Sequence, residues 1–182
     1  MGNYITTVAV NIAVFSLLAL SLNIIIGYAG QSMMGHAAFF GIGAYTAAIL
    51  TNKGINFWLA LIISLIVSGA LGAILGIISL RLRDDFLAIT TIGINFVMVA
   101  LFQNMDFFGG SLGMAVKPPT IFGQRMTSTH FLVLLLILIV LVCLLIRKMN
   151  RSWFGLALAS LRGDEGAAQS FGVNISQYKI LA

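Results

Sequence analysis

An all-α integral membrane protein, a polytopic helical bundle with about five membrane helices, is the fold class this sequence predicts. Three observations carry that reading. Of its 182 residues, 60% are hydrophobic and 8% charged, whereas soluble domains carry roughly 25% charged residues. The apolar residues gather into five runs near the ~20 residues an α-helix needs to cross a bilayer. The ten basic residues fall in the short segments between runs, as positive-inside topology requires. A net charge of +5 spread in this way makes no basic patch for nucleic acid.

The first run, about Tyr4 to Ile26, is uncharged. Met1 to Val10 hold no Lys or Arg, which argues against a cleaved signal peptide. The opening Met1-Gly2-Asn3-Tyr4-Ile5-Thr6 matches a myristoylation pattern only loosely. The second run, about Ala37 to Thr51, is short and glycine-rich, and reads as a full span or as a buried, partly re-entrant helix. Between them, Gly27, Gly30, Gly35, Gly41 and Gly43 break the apolar sequence from residue 27 to 46. Lipid offers no partner to a stray backbone group, so such a break must pack against protein or face water.

The third run, Phe57 to Leu80, is the cleanest span. Its Ser68, Gly72 and Gly76 recur every four residues, so they share a helical face on which a neighbour can approach closely. Packing outweighs a direct transport role for them. The fourth run, Phe86 to Met105, contains Thr90, Thr91, Asn95, Gln103 and Asn104. Polar side chains inside a span face the bundle or a water-filled cavity. For Thr90, Thr91 and Asn95, interhelical hydrogen bonding and a translocation path therefore stand side by side. The fifth run, Phe131 to Ile146, ends at Arg147-Lys148.

Orientation follows from the basic residues. With the N-terminus outside, Arg81, Arg83, Arg147, Lys148, Arg151, Arg162 and Lys179 lie inside, and Lys53, Lys117 and Arg125 outside. Seven against three favours this arrangement, provided the second run spans. Asn150-Arg-Ser152 and Asn174-Ile-Ser176 then lie on the cytoplasmic side, where they are not glycosylated. Phe107 to Thr129, with its glycines and Pro118-Pro119, is a turn-rich outside loop. Arg81-Leu-Arg83-Asp84-Asp85 reads as a solvated turn whose acids cap the next helix.

Residues 147–178 form a cytoplasmic region within a single domain of residues 1–182. Trp153, Leu156, Ala157, Ser160 and Leu161 recur at helical spacing and predict an amphipathic helix. Asp164 caps a short helix over Glu165 to Phe171, which Gly172 ends in a left-handed conformation. Asn174 and Gln177 mark a further helix start. A capped, small-residue helix of this kind suits docking onto another protein, or lying on the bilayer.

Candidate chemistry is sparse. Cys143 is the only cysteine, so neither a disulfide nor a cysteine metal site is expected. No catalytic or metal-binding constellation is present. His36, at the start of the second run, reads as a helix-start residue hydrogen-bonding nearby backbone rather than as a proton carrier. His130 has less claim still. None of the four lysines follows a glycine, so the chain has no phosphate-binding Gly-Lys loop of its own.

Gly27-Tyr-Ala-Gly-Gln-Ser-Met-Met-Gly-His-Ala-Ala-Phe-Phe-Gly-Ile-Gly-Ala-Tyr45 closely resembles a hallmark of the permeases of branched-chain amino acid ABC importers. Arg81-Leu-Arg-Asp-Asp-Phe-Leu-Ala-Ile-Thr-Thr-Ile-Gly93 is similar to the family's next landmark. Arg151-Ser-Trp-Phe-Gly-Leu-Ala-Leu and Arg162 to Lys179 resemble its cytoplasmic region. The likeness runs in order from about Ser21 to the C-terminus. It implies a coupling helix seated on an ATPase, carried here by Arg162, Asp164, Glu165, Ala167, Ala168 and Gly172. Gly166 interrupts the usual Glu-Ala-Ala core.

The likeness further implies a second permease subunit, homo- or heterodimeric, and two cytoplasmic ATP-binding subunits that hold ATP and Mg, with no cofactor on this chain. It implies an extracytoplasmic substrate-binding protein and a bacterial-type inner membrane. Gly27, Gly30, Gly35, His36, Gly41 and Gly43 become packing positions in that core. Family members continue through several more helices, so the chain reads as a fragment. The competing readings are an ABC permease for urea, short amides or another small polar solute, and an ion-coupled carrier or channel.

Overall fold

The structure, a computed structural model, describes residues 2–79, 84–116, 118, 120–121, 124–163 and 165–181. Arg81, Arg83, Lys117 and Asp164 lie outside the described residues. Five long helices form where the apolar runs are longest. They are α1 (Gly2–Leu22), α2 (His36–Asn52), α3 (Phe57–Ser79), α4 (Asp84–Asn104) and α5 (Ser128–Asn150). Three short ones follow: α6 (Trp153–Gly163), α7 (Glu165–Ser170) and α8 (Ile175–Leu181).

Among the described residues, four stretches are long and apolar enough to cross a membrane: Tyr4–Tyr28, Phe57–Ile78, Phe86–Asn104 and Ser128–Asn150. Their leucine, isoleucine and phenylalanine side chains are largely exposed. Such surfaces are stable against lipid or other apolar helices, not against water. α2 is shorter, 17 residues and so ~25 Å of helix. α4 begins at Asp84, so Asp84 and Asp85 occupy its first turn rather than preceding it.

The chain divides into two compact units, Met1–Ser32 with Met126–Ala182, and Met33–Arg125. In the first, α1 packs along α5. Tyr28, just past α1, and Asn150, the last residue of α5, are hydrogen-bonded at 2.8 Å. The two helices therefore end at the same end of the unit and run parallel. α5 begins three residues before the expected Phe131, because His130 Nδ1 accepts the Thr127 N–H at 3.3 Å and caps the helix start.

α6 to α8 fold back beneath these ends. The core there comprises Ala29, Leu158, Leu161 and Ala168, with Tyr28, Met149, Phe154, Val173, Ile175 and Tyr178 packed around it. The face that α6 buries is the predicted one only in part, since Ala157 and Leu161 are buried as expected. Gly155, Ala157, Leu158 and Leu161 turn inward, while Trp153 and Leu156 are 84% and 62% exposed and Ser160 is exposed too. Apolar residues occupy both sides of α6, so periodicity alone does not choose between them. Gly155 chooses, because a Cβ there would lie 2.9 Å from the Met149 carbonyl carbon.

In the second unit, α2 packs on α3 and α4. Tyr45 stacks on Phe102 at 4.3 Å between ring centroids, and Phe108 packs edge-on to both. The loop after α4 is turn-rich as expected, with short 3-10 turns at Asp106–Phe108 and Gly110–Leu112. It also carries an unpredicted pair of two-residue strands, β1 (Thr120–Ile121) antiparallel to β2 (Gln124–Arg125).

Candidate functional site

Two features that stand apart in the sequence, the start of the glycine-rich break and the short helices after α5, meet in the first unit. α1 does not end as an α-helix. Asn23–Tyr28 wind as a π-helical turn, with the Ala29 N–H reaching the Ile24 carbonyl at 3.2 Å. The backbone then leaves the helix as Gly30 takes φ +69, a left-handed conformation costing other residues roughly 1–2 kcal/mol.

Arg162, from the last turn of α6, lies against this corner. Its Nη1 donates to the Gly27 carbonyl at 2.6 Å. Its Cα and Cβ occupy the space above Gly30, where an added Cβ would come within 3.0 Å of both. A charged donor on a carbonyl freed by the end of a helix is among the stronger hydrogen bonds available. Gln31, 7% exposed, extends the contact as its Nε2 donates to the Lys179 carbonyl of α8 at 3.1 Å.

α7 joins the same core through Ala168, which is 3% exposed, as is Leu161 at 4%. The end of α7 is fixed by Gly172 at φ +84. There the Gly172 N–H bonds to the Gln169 carbonyl at 2.9 Å and the Val173 N–H to Ala168 at 3.1 Å, a Schellman termination. Val173 packs on the core beside Ala168. Asn174 Oδ1 then accepts the Gln177 N–H at 3.3 Å and starts α8. Ala167 is exposed on α7, and Glu165 is its first residue.

The rest of the break belongs to the second unit. Gly35 lies against α4, where an added Cβ would come 2.7 Å from the Thr91 carbonyl oxygen. Thr91 is 2% exposed; its hydroxyl accepts the Met34 N–H at 3.0 Å and donates to the Ala88 carbonyl at 3.0 Å. Thr90 and Asn95 are half-buried on the same helix. His36 opens α2, Gly41 fits under the Phe102 ring, and Gly43 faces Ser68 at 3.9 Å. Gly72 meets the ring of Phe39 at 3.9 Å, and Gly76 lies one turn further along α3.

The structure therefore joins Gly27, Gly30, Arg162, Ala168 and Gly172 in one assembly, and Gly35 with Thr91 in another. Tyr28, Ala29, Gln31 and Leu158 are central to the first, although sequence reasoning passed over them. Ala29, between Tyr28 and Gly30, carries no periodic signal, and Gln31 reads as an ordinary loop residue. No group of His, Cys, Asp or Glu able to hold a metal occurs among the described residues.

A family described as the permease component of the branched-chain amino acid transport system matches residues 4–182. LivM, the high-affinity branched-chain amino acid transport system permease protein of Salmonella typhimurium, is 35% identical across 93% of this chain and 46% of its own length. LivM of Escherichia coli is 34% identical over the same shares. A probable LivM of Methanocaldococcus jannaschii is 26% identical over 91% of this chain and 59% of its own. The chain thus spans about half the length of the curated relatives it matches. No solved structure matches it. With its four membrane-length helices and the family match along nearly its whole length, the chain belongs to the branched-chain amino acid transport permease family.

Proposed function

We propose that this chain is part of a permease that moves branched-chain amino acids inward through a bacterial-type inner membrane, driven by ATP hydrolysis on partner subunits. The observation that carries the proposal is the shared core of the cytoplasmic helices and the end of α1. A helix that only rested on the membrane surface would not need Ala168 buried in the core that also holds Ala29, nor a charged hydrogen bond from Arg162 to Gly27.

In this reading two ATP-binding subunits, which hold ATP and Mg, seat α7 through its exposed side, and a second permease subunit completes the pathway. A substrate-binding protein delivers the cargo from outside. Movement of α7 travels through Ala168 to Ala29, and through Arg162 to Gly27 and Gly30, and so reaches the helix that crosses the membrane. Thr90 and Asn95 are the candidates for lining the cargo's path.

The test uses the full-length permease reconstituted with its ATPases and binding protein. Arg162→Ala should cut leucine uptake at least about tenfold, the scale of one lost charge-assisted bond. ATP hydrolysis should persist, so that less cargo moves per ATP. Arg162→Lys should restore part of the uptake. Equal loss of uptake and hydrolysis would remove the transmission role. Uptake of urea or a short amide in place of leucine would change the cargo. Uptake without any ATPase would make the protein an ion-coupled carrier.

A further inference from the structure

A groove of about 470 Å³ opens between the ends of α1 and α5. Leu20, Cys143 and Ile146 give it apolar lining, and Asn23, Tyr28, Asn150, Arg147 and Arg151 give it polar and cationic lining. Among the described residues, no acidic side chain lines it. Cys143, Ile146, Arg147 and Asn150 recur at helical spacing along α5, and Arg151 caps its end, so one stripe supplies the apolar wall and then the cationic rim.

The rim lies where α5 leaves the membrane. Its apolar sequence stops at Ile146, and the next residues are Arg147 and Lys148. Beyond them Trp153 and Leu156 are exposed on α6. Tryptophan at the end of a membrane span settles at headgroup depth. The end of a helix carries about half a negative charge, which two full positive charges outweigh, so the rim stays attractive to an anion. Basic pockets between membrane helices bind anionic headgroups. The groove has the size of a small-molecule site, sufficient for a headgroup and its glycerol but not for acyl chains. Those would follow the exposed apolar sides of α1 and α5 into the bilayer.

We infer that this groove binds an anionic phospholipid, its phosphate held by Arg147 and Arg151 and its glycerol region set against Leu20, Cys143 and Ile146. The inference rests on the membrane placement of α1 and α5, not on the cargo. Cys143 is exposed in the groove and reports on its occupancy.

The full-length permease complex is purified into detergent micelles doped with either phosphatidylglycerol or phosphatidylcholine. Alkylation at Cys143 is followed by peptide mass. Phosphatidylglycerol should slow alkylation by up to roughly thirtyfold relative to phosphatidylcholine, the scale of two basic side chains facing one anionic headgroup. Arg147→Gln with Arg151→Gln should abolish the difference, and the paired lysine variants should keep it. Leucine uptake is measured on the same preparation reconstituted into sealed vesicles, so failure of lipid binding is separable from failure of the transport reading. Equal alkylation rates in the two lipids with the unaltered protein would overturn the inference. Protection by soluble glycerol phosphate at the same concentration as the lipid would overturn it in favour of a soluble anion.

Discussion

Gly35 and Gly69 separate two uses of the same residue. An added Cβ at Gly35 meets the Thr91 carbonyl oxygen at 2.7 Å, whereas at Gly69 it meets nothing within 4 Å. Backbone cannot rotate away as a flexible side chain can. Gly35→Ala should therefore lower the thermal stability of the detergent-solubilised full-length permease, while Gly69→Ala should leave it unchanged or raise it, since alanine is the better helix former. Equal effects at the two sites would show that Gly35 is not in close contact. Of the small residues legible in the sequence, Ser68 and Gly72 share a face that points at α2. The hydrogen bond from Met34 to Thr91 was not legible, because sequence shows only that a polar residue must find a partner and not which backbone group provides it.

At the scale of elements, α7 owes its length to Gly172. Its left-handed conformation and the two hydrogen bonds of the Schellman end lead the chain back to place Val173 on the core. Asparagine tolerates that conformation and a β-branched residue does not. Gly172→Asn should therefore retain most leucine uptake in the reconstituted transporter, and Gly172→Val should lose it; similar uptake from both would mean that the turn is not needed. Helix starts and stops of this kind follow from local chemistry, which is why Gly172, Asn174 and Gln177 were readable in advance. The inward face of α6 was not. Trp153 and Leu156 look like core residues by type, and only the close contact of Gly155 with the last turn of α5 turns them outward.

The path of the whole chain through the membrane is constrained by parity. α1 and α5 run parallel, so each crosses in the same sense. Residues 33–125 must then carry the chain back across an odd number of times. If α3 and α4 each cross once, α2, short as it is, must supply the third crossing. This agrees with the count of basic residues, which puts the ends of α1 and α5 inside and Lys53 outside. Lys53→Cys in the full-length permease should react with a membrane-impermeant maleimide added outside intact cells or spheroplasts. Labelling only after the membrane is opened would mean that α2 turns back. Hydropathy alone left α2 undecided, because 17 residues lie at the lower limit of a span.

The π-helical turn at Asn23–Tyr28 gives the end of α1 a loop of slack. Its rings close one residue later than those of an α-helix, so the same six residues can be wound in two registers. Rewinding them as α-helix would swing each following carbonyl by up to about 100° per residue of register. The Gly27 carbonyl would then face away from Arg162. The Arg162–Gly27 bond therefore favours the wide winding over the tighter one.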